Sequence, residues 1–234
     1  MLAADEIARA IAEFQEQTDK PVVAALEGGG VRGYYVAAPC RWIVANELTL
    51  TGSIGVIMQG YNYRGLLDKV GVRPQVFKSG RFKDMLRGTK SPEEVLPEEE
   101  QMVQALIEET FGRFKTVIAE GRAAADRRND GRGRKLGEEW QQWADGRIFS
   151  GKQAFEAGFV DELGSLQTAV ARAKVMANLA NANLIRYQPP RGLADLLGLV
   201  GEAAEGRSIK LDLGVRWPPM DVGRPYFLYV PGMP

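Results

Sequence analysis

The chain contains no histidine, and this absence restricts its chemistry more than any other feature of its 234 residues. Histidine-based catalytic triads, cysteine-histidine pairs and HExxH metal sites all need an imidazole, so these classes are excluded. If the chain is an enzyme, lysine, carboxylate or tyrosine side chains, or backbone groups, must carry its protons.

Cysteine is nearly absent as well. The single Cys40 excludes an internal disulfide framework and a cysteine-based zinc cluster. The segments on either side of it, 37–39 and 42–44, are apolar, which predicts a small buried side chain rather than a reactive thiol. The acidic run at 98–100 begins a predicted helix, where the helix dipole stabilises it. We therefore expect neither a metal nor a cofactor.

The chain also lacks a net charge and a long apolar run. Lysine plus arginine and aspartate plus glutamate number 30 each, so no overall field attracts nucleic acid or an anionic membrane. No apolar run reaches the ~18 residues that a membrane-spanning helix needs. Near the N-terminus, Asp5 and Glu6 stand where a signal peptide would carry bases. The composition is typical of a soluble globular protein without a nucleic-acid partner.

The apolar patterning predicts an α/β domain. Residues 4–17 place Ile7, Ile11 and Phe14 at helical spacing. Residues 22–26 form a short apolar run, typical of a strand buried on both faces. Helices and strands then alternate along the chain, which favours a layered α/β fold. The other elements expected are helices at 34–40, 63–71 and 166–180, strands at 41–45, 48–58 and 74–80, and a helix followed by a short strand within 151–164.

A long amphipathic helix is expected from residue 97, because apolar side chains repeat at helical spacing through about 25 residues. The Arg- and Gly-rich segment 123–140 predicts a solvated loop. A phosphate-binding patch is its alternative, although acidic residues dilute the positive charge. The predicted organisation is one domain over residues 1–180 and a weakly patterned C-terminal extension over residues 181–234.

Two glycine-containing stretches could support chemistry. The first, EGGGVRGYY at 27–35, has three consecutive glycines that leave a predicted strand and enter a helix. Such backbone exposes N–H groups to a phosphate or an oxyanion, whereas a tight turn with close packing is the alternative. The second, TGSIGV at 51–56, places Ser53 between glycines. A buried and locally bonded hydroxyl is favoured there over a nucleophile.

A third stretch, FKSGRFKDM at 77–85, crowds Lys78, Arg81 and Lys83 around a glycine turn. Repulsion between these cations, together with partial burial, would lower the pKa of a lysine and allow it to act as a general base. A basic surface turn balanced by Asp84 is the alternative.

These three stretches, in this order and spacing, resemble the signal peptide peptidase A (SppA) family of serine peptidases, relatives of the ClpP and crotonase folds. The resemblance covers roughly residues 4–180. It implies a ClpP/crotonase-like superhelix of βαβ-type turns, and a Ser-Lys dyad that hydrolyses peptides without histidine. The matching segments are KPVVAALEG, GYYVAAPCRWIVANELTLTGSIGVI, LLDKVGVRPQVFKSGRFKDM and DGRIFSGKQAFEAGFVDELG.

Carried over residue by residue, the resemblance implies that Lys83 in the K-S-G-x-x-K-D stretch is the general base of the dyad. The family's serine lies in a segment like A-S-G-G-Y-Y, but here Val31 or Arg32 occupies the place of the nucleophile. Ser53 is then a substitute nucleophile candidate, because its turn could face Lys83. The backbone implied to bind the oxyanion or substrate comprises Gly29, Gly30, Val31, Arg32 and Gly33.

The resemblance also implies partners and a location. Family members carry a further strand and an S-P-G-G-like turn upstream, and usually an N-terminal membrane anchor, so we expect an N-terminally truncated domain here. A peptide substrate, a homo-oligomer with sites at subunit contacts, and membrane association through the missing anchor are implied as well. The chain itself shows neither a transmembrane segment nor a signal peptide, and is otherwise expected to be soluble.

Three functions from different classes stay open. One is a serine-type endopeptidase of SppA type that acts on signal-peptide remnants or unfolded peptides. Another is a catalytically silent peptide-binding or scaffold subunit of an SppA-like oligomer, because the dyad serine is missing. Acyl-CoA chemistry of the crotonase type is the last, but it rests on the glycine loop and gives the lysine turn no role.

Overall fold

The computed structural model describes residues 1–27, 31–185 and 187, and of residues 31 and 32 it describes the backbone only. Contacts divide the chain into two units, Met1–Asn178 and Leu179–Pro234. The helices and strands given below belong to the first unit. Apart from residues 181–185 and 187, the predicted C-terminal extension lies outside the described residues.

The order of elements confirms the α/β class expected from the sequence. None of the described helices is both long enough and apolar enough to cross a membrane. The α-helices are α1 (Leu2–Thr18), α2 (Val31–Ala37), α3 (Arg64–Lys69), α4 (Pro97–Arg128), α5 (Gly151–Glu156) and α6 (Leu166–Met176). The strands are β1 (Val23–Leu26), β2 (Trp42–Ala45), β3 (Leu50–Gly52), β4 (Ile148–Ser150) and β5 (Glu162–Leu163). Short 3₁₀ helices span Pro92–Glu94 and Trp140–Trp143.

The described strands form two sheets. Strands β1, β2 and β5 pair in parallel in that order, with Val23 opposite Trp42 and Val44 opposite Glu162. Strands β3 and β4 pair antiparallel. All four residues of β2 are buried, whereas those of β1 are only half-buried. The expectation that the first strand is buried on both faces is therefore wrong, because β1 lies at an edge of the described sheet and β2 at its centre.

The core is built from aromatic and aliphatic side chains of α2, α4 and the segment before β5. Tyr34, Tyr35, Phe114 and Phe159 are each at most 1% exposed. Tyr34 and Phe159 pack edge to face with ring centroids 5.5 Å apart, an arrangement that the aromatic quadrupole favours. This cluster fixes α2 against α4, so it also fixes the segment that follows the glycine loop.

The apolar stripe predicted for α1 is not its buried face. Ile7 and Phe14 are about half exposed, whereas Ala4, Ala8 and Gln15 are buried. Gln15 is satisfied there, since its Nε2 donates to the carbonyl of Pro39 at 2.8 Å and its Oε1 accepts from backbone amides. Small side chains let α1 approach its neighbours closely, and this close approach outweighs the burial of larger residues.

A buried ion pair joins α4 to the central sheet. The Arg122 guanidinium donates to both carboxylate oxygens of Asp161 at 2.6 Å, and the two side chains are 3% and 0% exposed. Asp161 also accepts the backbone N–H of Ile43 at 2.8 Å. Arg122 donates in turn to the carbonyl of Cys40 at 3.2 Å. Cys40 is buried, as the sequence predicts.

Three predicted elements differ from the structure. Residues 74–80 form no strand, and Phe77 within them is 95% exposed. The β-rich stretch 48–58 contains only β3 as a strand. The start of the predicted loop 123–140 is helical instead, because α4 continues to Arg128 through three alanines of high helix propensity.

Candidate functional site

Two tyrosines anchor α2 next to the glycine loop. The hydroxyl of Tyr34 donates to the carbonyl of Phe159 at 2.9 Å, and that of Tyr35 donates to Asp5 Oδ1 at 2.6 Å. Burial raises the pKa of Tyr35 to about 12, and the hydrogen bond to Asp5 acts in the same direction. Both phenols stay protonated near neutral pH and serve as donors that hold the helix.

The oxyanion residues predicted from the sequence lie around the start of α2. Gly29 and Gly30 fall outside the described residues, and Val31 and Arg32 contribute the backbone of the first helical turn. Gly33 follows in the helix, where an added Cβ would meet no atom within 4 Å among the described residues outside its own helical turn. The oxyanion role of these residues stays a prediction.

A pocket of about 230 Å³ opens at the carboxyl ends of β1 and β2. Parallel α/β sheets characteristically place their ligands beyond these strand ends. Glu27 lines the pocket and directly precedes the glycine loop. The pocket is therefore adjacent in the chain to the predicted oxyanion backbone. Its walls also include Leu26, Val44, Asn46, Ser165 and Leu166.

Ser53 lies at a bend directly after β3. Its φ angle is +49°, and the preceding Gly52 has a φ of +82°. A left-handed conformation is strained for a serine by about 1 kcal/mol. The backbone N–H of Ser53 donates to the carbonyl of Arg147 at 2.7 Å, which holds the bend against β4. The prediction of a buried, locally bonded hydroxyl is wrong. The residue is half-buried, and its bond to Arg147 is made by the backbone amide and not by the hydroxyl.

Lys83 lies on an exposed turn between α3 and α4. Its side chain makes no hydrogen bond or ion pair with the residues that the structure describes, and it is exposed rather than partly buried as expected. The turn is closed by a bond from the Lys83 amide to the Gly80 carbonyl at 3.2 Å. Its ammonium group is thus free to meet a partner that comes from outside this part of the chain.

The cations that crowd Lys83 in the sequence are neutralised in the structure. Lys78 donates to Asp84 Oδ1 at 2.8 Å, and Arg81 donates to Glu98 at 2.9 Å. The hydrogen bond from Lys78, assisted by Lys90, lowers the pKa of Asp84. Asp84 balances the turn as the sequence suggests, but it does so by pairing with Lys78 and Lys90 rather than with Lys83.

The sequence gives little sign of two residues that support this turn. Lys90 and Glu99 form an ion pair with side chains only 4% exposed. They are nine residues apart, across the start of α4, so no helical or strand spacing marks them as partners. An acid at 99 amid other acids looks like an ordinary first-turn residue. Within the described residues, no hydrogen bond joins Lys83 to Ser53.

Comparison with known proteins assigns the family. The family model described as Peptidase family S49 matches residues 14–180. A putative protease of Synechocystis is 37% identical over 206 residues, covering 84% of this chain and 69% of that protein. The putative signal peptide peptidase SppA of Enterococcus faecium is 38% identical, covering 78% of this chain and 49% of that protein. The chloroplastic serine protease SPPA of Arabidopsis thaliana is 29% identical, over 88% of this chain and 29% of its own length.

Among solved structures, an enoyl-CoA hydratase/isomerase family member matches 75% of this chain and 43% of its own. The TM-score is 0.29 at 16% sequence identity, too low for that likeness to support an argument. The match to the family model covers most of the chain, including Lys83 and the glycine loop, and it agrees with the resemblance seen in the sequence. The chain therefore belongs to peptidase family S49, the family of the SppA-type proteases.

Proposed function

We propose that the protein is a serine-type endopeptidase of SppA type, which hydrolyses unfolded peptides or signal-peptide remnants with Lys83 as its general base. The observation that carries this proposal is the state of the lysine turn. Every neighbouring cation of the turn is paired with a carboxylate, whereas Lys83 is exposed and makes no pair with the described residues. An amine left free in this way is available to a serine hydroxyl.

The reaction follows the usual course for a hydroxyl nucleophile and an amine base. Lys83 takes the hydroxyl proton while the oxygen attacks the peptide carbonyl. It then returns that proton to the departing amine, which leaves an ester on the enzyme. Water hydrolyses the ester and restores the hydroxyl. Ser53 is our nucleophile candidate in this chain, and the backbone at Gly29, Gly30, Val31, Arg32 and Gly33 would stabilise the oxyanion.

A second copy of the chain is the proposed partner. Exposure of Lys83 speaks against a dyad within one copy, and the stretch 57–77, which precedes the lysine turn in the chain, presents large apolar side chains to solvent. Ile57, Tyr61 and Phe77 are 83%, 80% and 95% exposed. Exposed apolar groups in this number are typical of a surface covered on association. We therefore propose a homo-oligomer, and we retain membrane association as a proposal from the resemblance alone.

A catalytically silent subunit is the competing proposal. Its support is the sequence at the start of α2, where Val31 or Arg32 stands in the place of the family's serine. Such a subunit would bind peptide next to the pocket at the strand ends and would not cleave it. The walls of this pocket are mostly apolar and include one carboxylate, that of Glu27. They therefore suit an apolar or cationic side chain of the peptide.

Hydrolysis of quenched fluorogenic peptides by the full chain distinguishes the two proposals. We expect Lys83→Ala to lower the rate at least about 100-fold, the range of a lost general base. Lys69→Ala is the matched control, because Lys69 is also an exposed lysine without a pair among the described residues, and it should leave the rate within about twofold. Peptide binding without hydrolysis by the unaltered chain would establish the silent subunit. Equal rates for the unaltered chain and Lys83→Ala would overturn the role of Lys83.

A further inference from the structure

The lysine turn, residues 78–85, needs support from outside itself. It belongs to no helix or strand, and its backbone bonds are single-turn contacts such as that from the Met85 amide to the Phe82 carbonyl at 3.0 Å. Turns of this kind open easily when no packed element holds them. A general base on such a turn would not keep a fixed position relative to a substrate.

A charged cluster ties the turn to the first turn of α4. Asp84, next to Lys83 in the chain, accepts from Lys78 at 2.8 Å and lies 3.3 Å from the Lys90 ammonium nitrogen. Lys90 in turn pairs with Glu99 on α4. The exposed fractions of the Asp84, Lys90 and Glu99 side chains are 10%, 4% and 4%. We call these three residues the anchoring cluster.

A second connection between the same two elements is exposed. Arg81 pairs with Glu98 at 2.9 Å, but the two side chains are 59% and 44% exposed. Solvent screens such a pair, so it holds the turn weakly. A buried pair loses much more when one partner is removed, because the other charge is left without compensation. The hydrogen bond to Glu99 also raises the pKa of Lys90, which keeps its ammonium charged.

We propose that Lys90 and Glu99 are positioning residues for Lys83: through Asp84 they fix the lysine turn to α4. This inference rests on the proposed function of Lys83 as a base. Helix α4 is suited to the task because its second half is embedded in the core at Phe114 and Ile118. The turn is thereby held by the same core that fixes α2 and the predicted oxyanion backbone.

The test compares Glu99→Gln with its neighbour Glu98→Gln in the full chain. Each substitution removes one negative charge from the first turn of α4, but only the first breaks the buried pair. We expect amide hydrogen exchange at residues 80–87 to become at least about tenfold faster in Glu99→Gln and to change less than about twofold in Glu98→Gln. Exchange in β2 should be unchanged in both variants.

Peptide hydrolysis supplies the second measurement. Glu99→Gln should lower kcat at least about tenfold with little change in KM, because the base is displaced while peptide binding is kept. Lys90→Met should lose a similar share of the activity. Lys90→Arg keeps a cation at this position and should therefore retain most of it.

Unchanged exchange at 80–87 in Glu99→Gln, or an equal loss of protection in β2, would overturn the positioning role. An unaltered kcat would also overturn it. If the unaltered chain hydrolyses no peptide, the proposed function fails, while the exchange result still decides whether the cluster anchors the turn.

Discussion

The hydroxyl of Tyr35 donates a hydrogen bond to Asp5 at 2.6 Å and so links α2 to α1. Asp5 also forms ion pairs with Arg9 and Arg113. It therefore connects three elements, α1, α2 and α4. Since α2 follows the glycine loop directly, this contact near the start of α1 contributes to the position of the candidate site.

Replacement of Tyr35 by Phe should lower the free energy of unfolding by about 2 kcal/mol, because a buried bond to a charged acceptor is lost. Tyr63→Phe is the control, since Tyr63 is 49% exposed and its hydroxyl bonds to no described residue. The free energy of unfolding of both variants is measured by urea denaturation, with tryptophan fluorescence as the signal. A Tyr35→Phe variant as stable as the Tyr63→Phe control would show that this link is unimportant.

Acid should destabilise the protein below about pH 4. The hydrogen bond from Tyr35 lowers the pKa of Asp5, and that from Lys78 lowers the pKa of Asp84. A carboxyl whose pKa is lower in the folded state stabilises the fold above its unfolded pKa, near 3.8, and this contribution is lost as the pH falls through the folded pKa. The urea midpoint should therefore fall steadily from pH 4 to pH 2.

Asp5→Asn provides the check on this assignment. The variant should be less stable at pH 7, and its midpoint should fall less steeply on acidification than that of the unaltered chain. Parallel profiles for the two proteins would show that Asp5 does not contribute to the acid transition.

Loss of the buried pair between Arg122 and Asp161 should be the most damaging of the substitutions considered. Arg122→Met leaves a buried carboxylate uncompensated, and we expect about 3 to 5 kcal/mol of destabilisation or failure to fold. Arg132→Gln is the matched control, because its pair with Asp130 is 79% exposed on both sides. The control should change stability by less than about 1 kcal/mol. Thermal unfolding of both variants would decide, and equal effects would contradict the account.

Cys40 should resist thiol reagents in the folded protein. Burial raises the pKa of its thiol to about 12, so almost no thiolate is present at pH 8. Ellman's reagent should react with the chain only after denaturant is added, and then with one thiol per chain. Rapid reaction under native conditions would show that the core around α2 and β2 opens readily.

The sequence predicts best where a segment is buried on all sides. Strand β2 is a continuous apolar run with all four residues buried, so its pattern reflects its surroundings directly. The same reasoning fails for residues 74–80. Val76 and Phe77 are residues typical of strands, but no strand among the described residues pairs with this segment, and Phe77 remains exposed. A local sequence pattern does not indicate whether another strand lies beside the segment.

The candidate site was only partly accessible to sequence reasoning. The motif makes Lys83 a candidate, and the family match spans that motif, but its role as a base stays a prediction. The sequence does not predict the exposure of Lys83. The cations expected to crowd it form ion pairs with Asp84 and Glu98 instead. The pairing of Lys90 with Glu99 depends on how a loop returns to the start of α4, which is a tertiary contact without a periodic signal.

Helix α4 has the geometry of a lever arm. Fifteen residues separate Glu99 from Phe114, a distance of about 22 Å along the helix axis. A tilt of about 5° about Phe114 would carry Glu99 through about 2 Å, enough to break a hydrogen bond. Met102 and Leu106 lie exposed on that arm. The length of α4 thus makes the place of the lysine turn sensitive to small changes in the direction of one helix axis.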